Sequence, residues 1–589
     1  MADWWLDAVL YEVYIRSFTD SGSDGVGDLA GITTRLPYLR DLGVDGIWIT
    51  PFYRSPMADH GYDVADHRAV DPLFGDLAAF DALLTEAHRH GLKVLVDLVP
   101  NHSSNAHPAF RAALAAGAGA PERDLYIFRD GRGADGDEPP NNWVSVFGGP
   151  AWTRVADGQW YLHLFAPEQP DWNWRHPRVR DDHDATVRFW LDRGVDGFRI
   201  DVTHGLIKND LLPDNPPPPP DGIPFFRERA EPHHWDQEGV HEIYQRWRAI
   251  VEDYRRRDGR ARMLVGETWV ADPRRLARYV RPDELHLTFA FSLLTASWSA
   301  PVWRTAIAAD LAATAEVGAP TTWVLANHDV TRPASRYGSG ETGLRRARAA
   351  LLTLLALPGP VFLYQGDELG LPEVDVPPAY RQDPVWERSG HSRPGRDGCR
   401  VPLPWSGQRT PYGFSADGVP PWLPQPDGWA ELTVAAQAPD PLSTLVLARG
   451  ALALRRALPM LGAGRLRWRD DTPPTVLAFD RPAPPSASDA PPGASDAPPG
   501  ASGALSGASD APSGATGASS ETSHTRRPAD TLPGTSSVTG LTCVMSTADT
   551  EVDLVIPGRL VLASSPVGYD GTTLTLPPDT TVWLAPHPS

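Results

Sequence analysis

The chain has 589 residues, 41% hydrophobic and 22% charged, an ordinary balance for a soluble globular protein of two or three domains. Its formal net charge of −20 argues against nucleic acid or an anionic membrane surface as the main partner. The two cysteines, Cys399 and Cys543, provide neither a disulfide framework nor a zinc-binding spacing, which favours a reducing compartment.

The N-terminal segment MADWWLDAVLYEVYIRSF lacks the basic start and the unbroken apolar stretch of a signal peptide. No apolar run in the sequence reaches membrane-spanning length. We therefore expect a cytoplasmic protein without a nucleic-acid or membrane partner. The sequence leaves the oligomeric state open.

A helix and a buried strand follow one another early in the chain. Residues 77–90, LAAFDALLTEAHRH, place Phe80, Leu83, Leu84 and Ala87 on one helical face, and a glycine follows as a stop signal. The next run, KVLVDLV, is nearly all apolar, as in a strand buried on both faces.

The same unit recurs along the chain. LRDLGVDGIWIT (39–50) and LDRGVDGFRID (191–201) share a helix end, the tetrapeptide GVDG and a strand, which indicates alternating strands and helices with a parallel sheet. Eight parallel strands predict a (β/α)8 TIM barrel, and the lack of a glycine-rich phosphate loop after the first strand disfavours a doubly wound sheet. The candidate strands are 9–15, 46–51, 93–99, 197–202, 263–267, 284–290, 321–327 and 360–365.

The spacing of these strands predicts the domains. About 95 residues separate the third and fourth strands, which is too long for a barrel loop and indicates a small inserted domain at 102–170. The barrel then occupies 1–101 and 171–458, ending in a helix near 440–458. Residues 459–589 are expected to form a C-terminal antiparallel β domain.

One segment of that last domain has a different composition. Residues 482–540 are almost all Pro, Ala, Ser, Gly, Asp and Thr, with ASDAPPG repeated, so we predict disorder. Strand-like TVLAFDR and LTCVMST flank it, which favours an insertion within a loop of the β domain. A partner-binding role for the segment is the alternative.

Polar residues collect where the predicted strands end. In a TIM barrel the C-terminal ends of the strands form the active site, so these side chains are expected to meet at one mouth. Holding several like charges together costs free energy unless a function uses them. The residues are Asp59, Tyr62, Asp63, Asp97, Asn101, His102, Arg199, Asp201, His204, Glu267, His328 and Asp329.

Two of these carboxyl groups suggest a reaction. Arg199 and Asp201 are two apart on a strand and point to the same face, so the guanidinium should keep Asp201 ionised and lower its pKa, as suits a nucleophile. Glu267, near other carboxylates, should have a raised pKa and keep a proton. Cleavage of a glycosidic bond requires one ionised and one protonated carboxyl group. A metal site is disfavoured because Arg199 would repel a cation beside Asp201.

The motifs DLVPNH, GFRIDV, GET, NHD and QPDWNW together resemble the α-amylase superfamily, glycoside hydrolase family 13. YEVYIRSFTDS, ITPFYRSP, GYDVADH, YQGDELG and GRDGCRVPLPW are most similar to its bacterial α-glucosidases and oligo-1,6-glucosidases. The resemblance covers the chain apart from 482–540. It implies retaining catalysis through a covalent glucosyl-enzyme.

The resemblance also implies roles for individual residues. Asp201 would be the nucleophile, Glu267 the general acid/base, and Asp329 the third carboxylate, which binds sugar hydroxyls. His102 and His328 would hydrogen-bond the glucose at the cleaved position.

Three more residues would shape the pocket by the same resemblance. Tyr62 would stack beneath that sugar, and Asp59 and Arg400 would form a pair that closes the pocket around the non-reducing end. Such a closed pocket removes single glucose units rather than cutting inside polymers.

The loop DSGSDGVGD resembles a calcium-binding loop of these glucosidases. The ligands would be the side chains of Asp20, Asp24 and Asp28 and the carbonyl of Val26, with magnesium as the alternative ion. Gly22 stands where relatives offer Asn or Asp, so one ligand is lost, and an ion-free turn is the alternative. No organic cofactor is predicted.

The resemblance is less decisive about specificity. Trp172 stands where relatives usually have Leu and is expected to reshape the site near the leaving group. Val202, directly after the predicted nucleophile, resembles α-1,6-cleaving relatives but also some that prefer α-1,4 bonds, so the linkage stays open. The insert HGLIKNDLLPDNPPPPPDG (204–222) is expected to form a stiff loop over the site.

The sequence therefore predicts an exo-acting α-glucosidase that acts on maltose, short malto-oligosaccharides or related α-glucosides. A transglucosidase or sucrose isomerase of the same family is the first alternative, and an oligo-1,6-glucosidase is the second. A non-catalytic scaffold or transporter subunit is disfavoured because Asp201, Glu267 and Asp329 are all present.

Overall fold

The structure is a computed structural model that describes residues 3–216, 232–462, 464–483 and 538–587. Eight parallel strands close into a barrel in the order β1-β8-β7-β6-β5-β4-β3-β2, which confirms the predicted fold class. The strands are β1 (Val9–Val13), β2 (Gly46–Ile49), β3 (Lys93–Leu98), β4 (Gly197–Ile200), β5 (Met263–Gly266), β6 (Leu287–Ala290), β7 (Thr322–Val324) and β8 (Val361–Tyr364).

Alternation along each strand divides the side chains between two cores. Outward-facing residues pack against the helices, and inward-facing ones fill the barrel axis. The interior cluster includes Leu10, Trp48, Leu95, Met263, Val265, Leu287, Phe289, Val324 and Phe362. Continuing the same alternation to the C-terminal ends of β1, β3 and β5 reaches Glu12, Asp97 and Glu267, so the charged layer lies directly above the apolar one.

Helices surround the barrel. The helix predicted at 77–90 spans Leu77–Arg89, and its start is fixed by Asp76, whose side chain accepts a hydrogen bond from the backbone N–H of Ala79. The other helices of eight or more residues are Leu29–Leu42, Pro108–Ala116, Pro177–Arg193, Val240–Asp258, Ala300–Glu316, Gly340–Ala356 and Thr444–Ala457. Shorter ones are Pro273–Ala277, Ser292–Thr295, Pro333–Arg336, Pro384–Arg388, Val434–Gln437 and Pro459–Gly462. Within the described ranges, none is both long and apolar enough to span a bilayer.

Between β3 and β4 the chain forms the smaller unit that the long spacing indicated. It contains Pro108–Ala116 and a three-stranded antiparallel sheet of Phe128–Asp130, Gln159–Leu162 and Trp152–Arg154. A second small sheet pairs Tyr53–Arg54 with Asp66–Val70 beside the barrel mouth.

The C-terminal region consists of two antiparallel sheets. One has the order Arg467–Trp468, Val476–Pro482, Gly540–Ser546, Thr581–Ala585, Arg559–Ala563, and the other the order Val552–Val555, Thr573–Leu576, Gly568–Tyr569. Most of the segment predicted to be disordered, 484–537, lies outside the described residues. The strands on either side of it pair directly, with Pro482 opposite Gly540.

Candidate active site

Arg199 lies at the centre of the charged layer, fully buried on β4. Its Nη1 donates to Asp97 Oδ1 and Oδ2 at 3.0 and 3.1 Å and to Asp201 Oδ1 at 2.7 Å, and its Nη2 lies 2.8 Å from Glu267 Oε2. The parallel register that sets Asp97 opposite Arg199 explains the first contact. One guanidinium therefore holds the predicted nucleophile and the predicted acid/base side by side.

The protonation of this cluster differs from the sequence-based prediction. Burial raises the pKa of Asp201 well above its usual value, and Glu267 and Asp97 raise it further, while Arg199 offsets only part of this. Burial likewise raises the pKa of Asp97 to about 7. The prediction of a lowered pKa for Asp201 is wrong because it left out desolvation. Asp97 and Asp201 therefore hold a proton more readily than exposed carboxyl groups do.

Backbone geometry also joins Asp201 to Glu267. Val202 has φ 46° and ψ 47°, a left-handed conformation that costs a β-branched residue about 1–2 kcal/mol. There its N–H donates to Glu267 Oε2 at 3.1 Å, and Trp269 Nε1 donates to Glu267 Oε1 at 3.0 Å. Both carboxyl oxygens of Glu267 are therefore held in place.

Asp329 lies across the mouth, between two arginines. Its Oδ1 accepts hydrogen bonds from Arg396 Nη1 at 2.9 Å and Arg400 Nη2 at 2.8 Å, with His328 Nε2 at 3.6 Å. Although burial raises the pKa of Asp329, the charges of Arg396, Arg400 and Arg199 hold it below its usual range. Asp329 is therefore ionised at neutral pH.

The predicted pair of Asp59 and Arg400 is replaced by another. Asp59 Oδ1 accepts from Arg396 Nη2 at 2.8 Å, whereas Arg400 Nε donates to the carbonyl of His328 at 2.8 Å. Arg396 also donates through Nε to Asp383 Oδ2 at 2.5 Å, so one guanidinium joins three carboxylates. The motif GRDGCR contains both arginines, and the sequence indicated the wrong one for Asp59.

Aromatic and imidazole groups complete the mouth. Tyr62 donates from its hydroxyl to Asp97 Oδ2 at 3.1 Å, and its ring stacks on His328 with centroids 5.3 Å apart. His102 Nε2 lies 3.2 Å from the carbonyl oxygen of Tyr62 and 3.1 Å from Gln169 Nε2. Burial and the charge of Lys208 lower the pKa of His102 to about 3, so the imidazole is neutral.

Several residues that sequence reasoning did not assign also belong here. Lys208 binds Asn101 Oδ1 at 2.8 Å and Asp171 Oδ2 at 2.7 Å, and Gln169 donates to Asp59 Oδ2 at 3.1 Å. These contacts attach the inserted unit to the barrel mouth. Gln169 and Asp171 lie inside QPDWNW, one of the motifs on which the family resemblance rests. The motif has no regular period, so the sequence did not indicate which of its side chains point inward.

The residues predicted to modulate specificity lie in two places. The Trp172 indole stacks on Tyr126 at 4.3 Å and packs against His107 and His183, and these contacts include none of the catalytic carboxyl groups. It therefore supports the inserted unit, contrary to expectation. Of the predicted stiff loop at 204–222, the part from 217 on lies outside the described residues. Its first half is held by the inserted unit, where Asn141 Nδ2 donates to the Leu212 carbonyl at 3.0 Å.

The predicted calcium loop brings its carboxylates together. A β-carbon at Gly22 would lie 3.7 Å from an oxygen of Asp20, 3.7 Å from one of Asp28 and 4.0 Å from one of Asp24. Asp20 and Asp28 already accept backbone N–H bonds at both oxygens, and Asp28 caps the helix Leu29–Leu42. In the part of the chain that the structure describes, no group of three acidic, histidine or cysteine side chains has a metal-binding arrangement. The donor types suit calcium, but the arrangement is that of a hydrogen-bonded turn.

A closed parallel barrel with ionisable groups meeting at its C-terminal rim is the architecture of a barrel enzyme. The family model described as the α-amylase catalytic domain matches residues 12–464, and the chain belongs to that family of glycoside hydrolases, as the motifs predicted.

Individual relatives agree. A probable α-glucosidase of Rhizobium meliloti (strain 1021) is 40% identical over 81% of this chain and 87% of its own length. An oligo-1,6-glucosidase of Parageobacillus thermoglucosidasius is 34% identical over 77% and 84%. The crystal structure of an α-glucosyl transfer enzyme, XgtA, is similar over the full length of both chains, with a TM-score of 0.82 and 33% identity.

Proposed function

We propose that this protein is a retaining, exo-acting α-glucosidase that releases glucose from the non-reducing end of maltose, short malto-oligosaccharides or related α-glucosides. The observation that carries the proposal is the single buried guanidinium of Arg199 in contact with both Asp201 and Glu267. Retaining enzymes hold their carboxyl groups about 5 Å apart and inverting ones about 6.5–9.5 Å. Two carboxyl groups on one guanidinium fit the closer spacing.

The first step uses both carboxyl groups. Asp201 attacks the anomeric carbon while Glu267 donates its proton to the departing glycosidic oxygen, so the leaving sugar departs neutral. Positive charge develops on the ring, and the ionised Asp329 stabilises it. Burial raises the pKa of Asp97 to about 7 and that of Asp201 well above its usual value, so these buried carboxyl groups beside Arg199 favour the presence of the proton that this step uses.

The second step releases glucose. The deprotonated Glu267 removes a proton from water, which attacks the glucosyl ester of Asp201 and restores both carboxyl groups. Trp269 Nε1 and Val202 N–H keep Glu267 in place through both steps, since they contact different oxygens of its carboxyl group.

The closed end of the pocket supports exo action. Arg396 joins Asp59, Asp329 and Asp383 and thereby ties the GRDGCR loop to the loop after β2. We infer that this buried junction closes the mouth beyond the terminal glucose, which exo action requires.

Replacement of the nucleophile tests the assignment. Asp201→Ala should reduce hydrolysis of 4-nitrophenyl α-glucoside by at least about 10⁴-fold, because without the covalent route only binding and charge stabilisation remain. The measurement is a steady-state rate with the folded state checked by circular dichroism. The matched control is Asp310→Asn, which alters a buried carboxyl group whose contact is Ser292. Activity of Asp201→Ala within tenfold of the wild type contradicts the assignment.

Transglucosylation is a second candidate because the full-length similarity to XgtA includes the whole architecture. Water and sugar hydroxyls compete for one glucosyl ester, so only products distinguish the two outcomes. A chromatographic time course on maltose, isomaltose, sucrose and trehalose separates glucose release from new oligosaccharides or isomers. It also settles the α-1,4 against α-1,6 preference.

We also propose a reducing, cytoplasmic setting. Cys399 and Cys543 are both buried and unbridged, and Cys399 lies between Arg396 and Arg400 in the pocket wall. Because the two thiols form no disulfide with each other, an oxidising compartment would not stabilise the fold through them.

A further inference from the structure

Glu12 is a buried carboxyl group at the barrel mouth to which the catalytic scheme above gives no role. It follows Leu10 on the inward-facing side of β1 and is only 1% exposed. A carboxyl group inside a barrel core costs free energy unless a partner compensates it. Among the described residues, its carboxyl group hydrogen-bonds to His328.

The contact is specific to one ring nitrogen. Glu12 Oε1 lies 2.5 Å from His328 Nδ1 and 3.4 Å from the His328 backbone nitrogen. The other ring nitrogen, Nε2, faces Asp329 Oδ1 at 3.6 Å. The imidazole therefore connects Glu12 on β1 to the ionised carboxylate of the pocket.

Neighbouring rings prevent His328 from turning. Tyr14 stacks near-parallel on it at 5.5 Å, and Tyr62 stacks on it at 5.3 Å with an interplanar angle of 14°. A 180° flip would exchange the two nitrogens but requires space that these rings occupy. With the ring fixed, only the position of its proton can vary.

We propose that Glu12 is a positioning residue that selects the tautomer of His328 and thereby determines whether Nε2 donates or accepts a hydrogen bond at the sugar-binding face. A protonated Glu12 donates its O–H to Nδ1, so the ring proton stays on Nε2 and points toward Asp329 and the sugar. An ionised Glu12 accepts Nδ1–H, which leaves a lone pair on Nε2 facing the negative Asp329. The first state is the binding-competent one, and this step rests on the function proposed above.

The charges around Glu12 favour the protonated state. Burial raises the pKa of Glu12 well above its usual value, Arg199 from β4 lowers it, and Asp329 and Asp97 raise it. The Tyr364 hydroxyl, on neighbouring β8, also faces it.

The imidazole keeps its neutral form in this environment. Burial lowers the pKa of His328 well below its usual value, and Arg400, Arg199 and Arg396 lower it further, while Asp329 opposes them. The pair is therefore a neutral acid beside a neutral imidazole, and raising the pH through the pKa of Glu12 converts it to the unfavourable state.

Two substitutions of matched size separate positioning from packing. Glu12→Gln presents an amide N–H to Nδ1 at every pH, so it should keep kcat/KM within about threefold at neutral pH. It should also remove the alkaline loss of kcat/KM that Glu12 causes in the wild type. Glu12→Leu offers no hydrogen bond, and KM should rise about tenfold, equivalent to one lost hydrogen bond, with kcat less affected. Asp310→Asn is the control and should keep the wild-type profile.

The tautomer can be read directly and without substrate. In protein labelled with ¹⁵N-histidine, with the His328 signals assigned by His328→Gln, the wild type and Glu12→Gln should show Nε2 protonated at neutral pH. Glu12→Leu should show a mixture. Because this readout needs no turnover, it holds even if the α-glucosidase proposal fails.

Either of two results overturns the proposal. One is an unchanged alkaline limb in Glu12→Gln together with an Nδ1-protonated His328 in the wild type. The other is a Glu12→Leu variant that folds, as judged by its melting temperature, and matches Glu12→Gln in KM and in ¹⁵N shifts.

Discussion

Arg199 shows how a single buried side chain sets the chemistry of its neighbours. Its terminal nitrogens contact Asp97, Asp201 and Glu267, and it lies over the Trp48 ring at 4.7 Å. Three carboxyl groups cannot all ionise around one cation in a buried site without a large cost. The site therefore carries its own proton, and substrate entry determines where that proton is used.

A change at Glu267 tests that use. Glu267→Gln removes the proton donor and keeps the size and shape of the side chain, although its single amide oxygen can accept only one of the two hydrogen bonds from Trp269 Nε1 and Val202 N–H. General acid catalysis contributes about 10²–10⁴-fold, and a leaving group that departs as a stable anion needs it less. We expect a loss in kcat/KM of about that size on maltose and a loss at least tenfold smaller on 4-nitrophenyl α-glucoside.

Steady-state rates on the two substrates provide the comparison. An equal loss on both would show that Glu267 does not protonate the leaving group, and would return the acid role to another member of the cluster.

At the scale of elements, strands were predictable and loops were not. Alternation with period two fixed Asp97, Arg199, Asp201 and Glu267 on the inward side, since a strand allows no other choice once its apolar residues are buried. The helix at 77–90 follows from its period of 3.6, and the eight strands follow from short apolar runs. Asp201's pKa was mispredicted because burial cannot be read from spacing alone.

The GRDGCR loop illustrates the limit. A short 3₁₀ turn, Asp397–Cys399, separates Arg396 from Arg400; both donate to Asp329, and Arg396 also donates to Asp59. Without a regular period, the sequence could place both arginines at the mouth but could not decide which reaches Asp59. Glu12 could also have been predicted to point inward, because it follows Leu10 by two residues, as Asp97 follows Leu95.

The loop DSGSDGVGD allows a test at this scale. If it binds calcium, EDTA should lower the melting temperature and added calcium should restore it, since a ligand of the folded state stabilises that state by mass action. Asp24→Asn should abolish the EDTA effect, because it removes a charged ligand from an exposed side chain that accepts the N–H of Val26. It leaves the helix cap at Asp28 intact, so it serves as the matched variant.

Differential scanning calorimetry with and without EDTA measures the effect. An identical melting temperature in both conditions for the wild type would establish the loop as a turn held by backbone N–H groups, without an ion.

At the scale of the whole molecule, two buried arginines lie where the barrel meets the C-terminal sheets, Arg455 on the helix Thr444–Ala457 and Arg481 on the strand Val476–Pro482. Arg455 Nη1 donates to the carbonyls of Leu355 at 2.7 Å and of Leu357 and Leu461 at 2.9 Å. Arg481, fully buried on Val476–Pro482, donates to the carbonyls of Ala356, Met460, Leu461, Gly464 and Arg465. Both sit where Gly340–Ala356 ends, and the negative end of that helix favours a cation.

The lowered pKa values of these two arginines reflect the free-energy cost of burying their charges. Burial lowers the pKa of Arg481 to about 9, with Arg455 adding to the effect, and burial lowers the pKa of Arg455 to about 10. Carbonyl groups thus act as the counterpart of both charges. Removing one arginine leaves several buried carbonyls without donors, and each such loss costs about 1–3 kcal/mol.

Arg481→Met should therefore lower the free energy of unfolding by about 2–4 kcal/mol and the melting temperature by several degrees. It should leave kcat on 4-nitrophenyl α-glucoside within twofold, because the carbonyl groups to which Arg481 donates do not belong to the mouth. Arg467→Met is the matched control: it removes an exposed arginine of the same sheet that pairs with Asp480 at 2.9 Å, a surface ion pair worth under about 1 kcal/mol.

Thermal unfolding at one scan rate, with activity measured on the folded protein, compares the two variants. Equal melting temperatures for the two variants would mean that apolar contacts alone hold the domains together. A fall in kcat for Arg481→Met would mean that the C-terminal sheets affect the positions of the catalytic residues through Gly340–Ala356.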